Sequence, residues 1–154
     1  MSHAASTQGR AGQGGGDPCD RCYECGLRCT AGVQMTRAEY DGILAHLRTE
    51  DPRLVARVLE QDKTVVWFEE IETEACLFYD VPKRQCIVYP ARPLICRLFG
   101  HVEWLPCPAR KRLPQIHDAV KLIQLYADEK RATFVEWCSE LGIFDLNQLA
   151  AGPR

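Results

Sequence analysis

The feature that most constrains this chain is a run of closely spaced cysteines near its N-terminal end. The run has the pattern C-x2-C-x2-C-x3-C and consists of Cys19, Cys22, Cys25 and Cys29. More cysteines follow at intervals of nine to ten intervening residues, namely Cys76, Cys86, Cys96 and Cys107. Thiolates two or three residues apart can converge on one metal centre when the loop between them curls back. We therefore expect these eight residues to be metal ligands.

Disulfide bonds are the main alternative use for so many cysteines. The chain has nine cysteines in 154 residues, which is an odd number, and residues 1–17 contain no apolar segment of the kind that directs secretion. Because a reducing compartment keeps thiols unpaired, clustered cysteines there are better explained as ligands. We expect a cytoplasmic protein, and we expect Cys138, which falls on an apolar helix face, to be a core residue.

Composition and charge exclude several classes of function. The formal net charge is −2, whereas nucleic-acid binding normally needs a basic face. No stretch approaches the ~18 apolar residues of a membrane span. The sequence contains no Gly-rich phosphate loop, no H-E-x-x-H helix and no evident catalytic triad. We expect neither nucleic acid nor membrane as a partner, and whether the protein is an enzyme stays open.

The chain divides into a leader and one domain. Residues 1–17 are rich in Gly, Ser and Gln and are expected to be disordered. The domain is expected to span residues 18–150, with the ligand region in 19–107 and C-terminal helices in 114–142. Its metal is expected to supply part of the folding energy.

Local patterns predict both helices and strands in this domain. A capping box at Thr36-Arg37-Ala38-Glu39 predicts a helix over 37–48, and Asp51-Pro52 starts a second one that ends near Asp62. Segments rich in β-branched and aromatic residues predict strands at 64–71, 75–79 and 85–89. We therefore expect an α+β fold, a small cysteine-rich metal-stabilised domain with a short antiparallel sheet or hairpin and several packing helices.

Three further elements are predicted after residue 90. Pro93 opens and Gly100 closes a short helix that carries Cys96, and Pro106-Cys107-Pro108 is a rigid loop. The C-terminal helices are predicted to bury the following apolar residues: Ile116, Val120, Ile123 and Tyr126 or Ala127 on the first, and Phe134, Val135, Cys138 and Leu141 on the second.

The spacing of the cysteines bears on the identity of the metal. The first run matches the bacterial ferredoxin pattern, but Cys29 is followed by Thr30 instead of proline, and there is no second run. The chain is therefore not a ferredoxin. Structural zinc sites are typically built from C-x2-C pairs, which only the first run offers. Isolated thiolates suit the corners of an iron–sulfur cubane at least as well as a single ion, so iron–sulfur is favoured and zinc is the alternative.

Five stretches together resemble a known family. They are Cys22-x2-Cys25-Gly26-x2-Cys29, Val33-x-Met35-Thr36-x2-Glu39, Cys76-Leu77-Phe78, Cys86-Ile87-Val88-Tyr89 and Arg92-Pro93-x2-Cys96-Arg97-Leu98-Phe99. This set is similar to the YkgJ-type cysteine-cluster family, also described as the CxxCxxCC zinc- or iron-chelating domain. Where that family has two adjacent cysteines, this chain has Arg28-Cys29, and Cys19 is the candidate replacement for the missing thiol.

The resemblance implies metal binding. Family members occur beside or within methyl-transfer and redox proteins, including flagellin lysine methylases for which an iron–sulfur cluster is proposed. We expect one or two [4Fe–4S] clusters that serve electron transfer or assist a redox or group-transfer enzyme, which would be the protein partner. The alternative is a zinc-binding structural or protein-interaction module. Arg92 and Arg97 are candidate cluster-binding cations, since they flank Cys96, and His101 is a possible substitute ligand.

Overall fold

The fold combines five helices with short antiparallel ladders, within the residues that the structure describes. A computed structural model describes residues 30–67, 71–107, 112–143, 145, 148 and 149. The helices are α1 (Arg37–Leu47), α2 (Pro52–Leu59), α3 (Leu94–Arg97), α4 (Ala119–Ala127) and α5 (Phe134–Glu140). The strands are β1 (Gln34–Thr36), β2 (Thr64–Trp67), β3 (Ile71–Glu74), β4 (Tyr79–Asp80), β5 (Gln85–Cys86) and β6 (Arg131–Thr133). The α+β class is confirmed, and the predicted leader over residues 1–17 lies outside the described residues.

The first two helices begin where their capping signals predict. In α1 the Thr36 hydroxyl accepts the Glu39 N–H and the Glu39 carboxylate accepts the Thr36 N–H, so both halves of the capping box form. In α2 the Asp51 side chain caps the first turn and Pro52 occupies the first position. The second helix ends at Leu59, three residues before the predicted Asp62.

Within the described residues, the expected antiparallel pairing takes the form of three separate two-stranded ladders. The predicted strand at 64–71 is wrong, because Thr64–Trp67 forms β2 and Ile71 begins β3, and the two strands pair in the register Thr64↔Glu74 to Trp67↔Ile71. The connection at 68–70 has no Gly, Pro, Asn or Asp, so the sequence carried no turn signal there. Predicted strands 75–79 and 85–89 shrink to the two-residue β4 and β5, with Cys76 before β4 and Cys86 at the end of β5.

The third ladder joins two segments that are far apart in the sequence. Strands β1 and β6 pair antiparallel from Gln34↔Thr133 to Thr36↔Arg131. Strand β1 runs directly into α1, and β6 runs directly into α5. Helix α5 has its own capping box, between Thr133 and Glu136. Because the pairing is antiparallel, α1 and α5 begin at opposite ends of this short ladder.

The main core lies between α1, α5 and the segment around β4 and β5. Tyr40 and Phe134 stack with ring centroids 4.9 Å apart, and Phe78 meets Phe134 edge-on at 4.8 Å. Trp137 Nε1 donates to the Met35 carbonyl at 3.0 Å, which satisfies the one polar atom of a buried indole. Cys138 is only 2% exposed in this core, as predicted.

The C-terminal helices are shorter than predicted and present different faces. Helix α4 buries Ala119 and Tyr126, whereas Ile116 and Val120 are 42% and 59% exposed, so their predicted burial is wrong. Ala119 packs against Leu98 and Val102 in a second small core. In α5 the buried residues are Phe134, Trp137 and Cys138, and the predicted Val135 and Leu141 are exposed. Among the described residues, none of the helices is both long and apolar enough to cross a lipid bilayer.

Candidate metal centre

Three of the predicted ligands line one cavity. Cys76, Cys86 and Cys96 come from three separate segments and meet around a space of about 200 Å³. The rest of the lining is mostly apolar and includes Met35, Phe78, Val88 and Phe134 from the edge of the main core. All three cysteines are half-buried. The cavity therefore brings three cysteine-bearing segments together at the border between core and surface.

The segment that carries Cys76 is fixed by backbone hydrogen bonds on both sides. The Ala75 N–H donates to the Lys63 carbonyl at 2.8 Å, which extends the β2–β3 ladder by one step. The Tyr79 N–H donates to the Cys76 carbonyl at 2.9 Å, which closes a turn around the cysteine. These bonds set the course of the backbone that presents the Cys76 thiol.

The Cys86 segment is held by β4 and by a histidine of α1. Cys86 pairs with Tyr79 across the two-residue ladder, and the Ile87 N–H donates to the Phe78 carbonyl at 3.0 Å. On the other side, His46 Nε2 lies 3.0 Å from the Ile87 carbonyl oxygen. A side chain of α1 is thus hydrogen-bonded to the residue that directly follows Cys86.

The Cys96 segment is held by Glu39. The Leu94 N–H, at the first position of α3, donates to Glu39 Oε1 at 2.6 Å. The Tyr126 hydroxyl donates to Glu39 Oε2 at 2.6 Å. Burial raises the pKa of Tyr126 and its hydrogen bond to Glu39 raises it further, so the hydroxyl keeps its proton and remains a donor. One carboxylate therefore joins α1, α3 and α4 beside Cys96.

The described chain begins at this cavity. Residues 31–33 contribute to its lining, and Thr30 forms a β-bridge with Ala75, next to Cys76. The Ala31 N–H donates to the Glu74 carbonyl at 2.8 Å. The predicted ligands that precede this point lie outside the described residues, and they are Cys19, Cys22, Cys25 and Cys29.

Cys107 lines a different cavity. That space of about 530 Å³ lies between Gly100, Leu113 and neighbouring loop residues, and the other described cysteines do not line it. His101 has Nδ1 2.8 Å from the Pro114 carbonyl oxygen, which occupies one of its two ring nitrogens. Within the described ranges, no group of three or more His, Cys, Asp and Glu side chains is arranged to hold a metal ion.

The two predicted cations occupy different positions. Arg92 lines the cysteine cavity, donates from Nε to the Tyr89 carbonyl at 2.9 Å, and stacks its guanidinium 3.5 Å above the Tyr89 ring. Arg97 lies in the last turn of α3, is exposed, and is not part of the described cavity lining. The structure therefore brings only Arg92 to the cavity.

Sequence reasoning missed a third cation, Lys63. This residue lines the cavity and is 8% exposed. Burial lowers the pKa of its ammonium group, and the nearby charges of Cys76 and Asp80 act in the opposite direction. A single lysine before a strand gives no signal of burial in the sequence, since lysine is almost always a surface residue.

The lining of the cavity combines three cysteines with apolar neighbours and nearby cations, which are the residue types that an anionic thiolate-bound metal needs. Within the described residues, these three side chains are not by themselves arranged to hold an ion. The model of one protein family, CxxCxxCC, matches residues 18–139 and is described as a "putative zinc- or iron-chelating domain". The match spans most of the chain, and the protein belongs to this family of zinc- or iron-chelating domains. No curated protein matches the chain significantly, and neither does any solved structure.

Proposed function

We propose that the protein binds an iron–sulfur cluster of the [4Fe–4S] type in the cavity between Cys76, Cys86 and Cys96. The observation that carries the proposal is that three cysteines from separate segments share one space of about 200 Å³. A water molecule takes about 30 Å³ of liquid volume, so the cavity is several times larger than a single water molecule. A cubane has iron atoms at several corners and takes thiolates from different directions.

The first cysteine run is the proposed source of the remaining ligands. Cys29 is bonded to Thr30, and consecutive Cα atoms are about 3.8 Å apart. Since Thr30 pairs with Ala75 and residues 31–33 line the cavity, the residue that follows Cys29 lies beside the cavity. Chain connectivity thus supports Cys29 as a ligand together with the three cavity cysteines, and we propose Cys19, Cys22 and Cys25 of the same run as further ligands.

The proposed role is electron transfer or assistance to a redox or group-transfer enzyme. When bound, a cluster of this type supplies one-electron chemistry, and the chain supplies its ligands and surroundings. Apolar residues such as Met35 and Phe134 exclude water from the inner wall, while Arg92 places a cation at the rim. We propose that the partner is a protein and that the protein acts in the cytoplasm, where thiols stay reduced.

A zinc-binding structural or interaction module is the alternative. The family description names zinc beside iron, and the C-x2-C pairs of the first run are typical of zinc sites. In that case the metal would support the fold, and removal of a zinc-bound cysteine would unfold the domain without any redox effect.

Metal analysis under anaerobic conditions separates the two functions. We expect the purified protein to be brown, to absorb near ~400 nm and to contain iron and acid-labile sulfide in equal amounts, about four of each per cluster. Electron paramagnetic resonance after reduction should show a cluster signal. A colourless protein that contains zinc and neither iron nor sulfide would refute the iron–sulfur proposal.

Single cysteine replacements then test the location of the cluster. Cys76→Ser, Cys86→Ser and Cys96→Ser should each lose most of the cluster. Cys138→Ala is the matched control, because Cys138 is buried in the core and does not line the cavity. Cluster loss in the control equal to that in the three variants would contradict the location. Cys107→Ser, measured alongside, shows whether that residue is a ligand.

A further inference from the structure

The cavity wall contains a buried ammonium group. Lys63 is 8% exposed and lines the same space as Cys76, Cys86 and Cys96. Lysine is almost never buried to this extent without a partner of opposite charge, because removing the ammonium from water is costly. The position of Lys63 therefore calls for a compensating negative charge nearby.

The described carboxylates near Lys63 provide that charge only in part. Its Nζ donates to the carbonyl oxygens of Val58 and Tyr79, each at 2.7 Å, and both acceptors are neutral. Among the described residues it forms no ion pair. The charge of the buried carboxylate Asp80 acts on Lys63, but Asp80 is also paired with Arg57 at 2.7 Å. Glu74 lines the same cavity, but it is exposed to water. Lys63, Arg57 and Asp80 together leave one positive charge uncompensated.

The cysteine beside Lys63 becomes negative when it binds a metal. The Lys63 carbonyl accepts the Ala75 N–H at 2.8 Å, so the two backbones run side by side next to Cys76. A cysteine binds metal as the thiolate. A centre with three or four thiolates around zinc, or around a [4Fe–4S] core, carries a net negative charge.

We infer that Lys63 is the buried counter-charge of the metal centre, a positioning residue that keeps its ammonium group beside the Cys76 thiolate. The inference rests on the proposed location of the centre, although it holds for either metal. Arg92 is less suited to this role, since its guanidinium is half-buried and stacks on Tyr89. A charge as buried as that of Lys63 is screened much less by water and salt.

The test measures Zn²⁺ binding by the full-length apo protein under anaerobic, reducing conditions, in competition with a chromogenic chelator. Lys63→Gln keeps a hydrogen-bond donor and removes the charge, whereas Lys63→Arg keeps the charge. Lys130→Gln is the control for net charge, because Lys130 is 66% exposed and pairs with Glu140 on the surface. We expect about 10- to 100-fold weaker Zn²⁺ binding for Lys63→Gln, the range typical of changes around metal ligands. Lys63→Arg and Lys130→Gln should bind nearly as tightly as the unmodified protein.

Two results would overturn the inference. The first is a Lys63→Gln variant that binds Zn²⁺ as tightly as the unmodified protein, and the second is an equal loss in Lys63→Gln and Lys63→Arg. Lys63→Met, which has a similar length and no charge, repeats the comparison if the glutamine variant does not fold. Failure of both uncharged variants to fold as judged by circular dichroism, with the arginine variant folded, would show a purely structural role and would also overturn it.

The probe keeps this inference separate from the iron–sulfur proposal. Zn²⁺ binding is measured whether or not the purified protein contains iron, so a protein without a cluster refutes the proposed function and leaves the Lys63 comparison intact. If the protein contains the cluster, Lys63→Gln should also lower its midpoint potential, because a nearby cation favours the more negative reduced form. A midpoint potential equal to that of the unmodified protein would count against the inference.

Discussion

Glu39 and Glu136 occupy the same position in two capping boxes, and this provides a matched experiment. Both carboxylates accept the backbone N–H of the threonine that caps their helix, at 2.8 Å for Thr36 and 2.7 Å for Thr133. Only Glu39 also accepts the Leu94 N–H and the Tyr126 hydroxyl, each at 2.6 Å. Glu39→Ala therefore removes the capping box and two bonds between elements, whereas Glu136→Ala removes the capping box alone.

The extra cost of Glu39→Ala follows from those two bonds. A hydrogen bond to a charged group contributes about 1.5–3 kcal/mol. Because Glu39 is half-buried, water can reach part of the released donors, and the lower end of that range applies to each. We expect Glu39→Ala to lower the free energy of unfolding by about 3 kcal/mol beyond the loss that both variants share.

Urea unfolding of the apo proteins, followed by circular dichroism, measures this difference. A chelator and a reductant keep metal and disulfides out of the equilibrium. Tyr126→Phe, which removes one of the two bonds, should cost about 1.5 kcal/mol. An equal loss of stability in Glu39→Ala and Glu136→Ala would refute the reasoning, because it would mean that the Leu94 and Tyr126 bonds contribute nothing.

Other changes have equally definite expectations. Gly100→Ala should lower the melting temperature clearly more than Gly142→Ala. Both glycines have positive φ, 80° and 71°, but of these two only Gly100 has a neighbour that the new Cβ would meet, Leu113 Cδ1 at 2.5 Å. Equal melting temperatures of the two variants would contradict this expectation. Arg57 holds the pKa of Asp80 below its usual value, so the carboxylate stabilises the fold above about pH 3.9, the unfolded pKa, and this contribution is lost as the pH falls through the lower folded pKa. Asp80→Asn should thus be less stable at pH 7, with a difference from the unmodified protein that shrinks below about pH 4; a constant difference in melting temperature across this range would argue against the ion pair. Removal of metal by a strong chelator should lower the melting temperature, and the difference should grow with the free metal concentration of the sample to which the chelated protein is compared. An unchanged melting curve would contradict a metal bound in the folded state.

Helix starts could be read from the sequence because their signals are local. Thr36 and Glu39 are three residues apart, and Asp51-Pro52 are adjacent, so each cap is fixed by its own short segment. The same rule applies to Thr133 and Glu136, and this capping box could also have been predicted. Signals of this kind need no knowledge of the tertiary structure.

The strand pairing and the buried faces of the helices could not be predicted from the sequence with the same success. Strand β1 has three residues and pairs with β6, about 97 positions further on, and no local pattern specifies such a partner. In α4 the buried face is selected by packing against Leu98 and Val102, so Ala119 is buried while the larger Val120 is exposed. Tertiary contacts here override the simple rule that the larger apolar residues of a helix are buried.

The candidate site was predictable in its chemistry but not in its grouping. The spacing of the cysteines indicated metal, and the family match supports that part. Which cysteines share a cavity depends on long-range contacts, such as the hydrogen bond that Glu39 accepts from the Leu94 N–H, and Cys107 lines a different cavity from the other three. Lys63 was missed for the same reason, since its burial arises only when the backbone next to Cys76 pairs with it.

The three cavity cysteines share a mode of support that bears on how the metal contributes to stability. Each lies within two positions of a residue that is hydrogen-bonded to a framework element: Ala75 to Lys63, Ile87 to His46, and Leu94 to Glu39. Two of these framework residues, His46 and Glu39, belong to α1, which the main core fixes without any metal contact. Because these bonds do not involve the thiols, they can form before a metal binds, and part of the ordering cost of the site is then met by the fold itself. Metal binding therefore has to order the backbone least at Cys76, Cys86 and Cys96. We expect the metal to stabilise most strongly those ligand segments that have no such hydrogen bond to the framework.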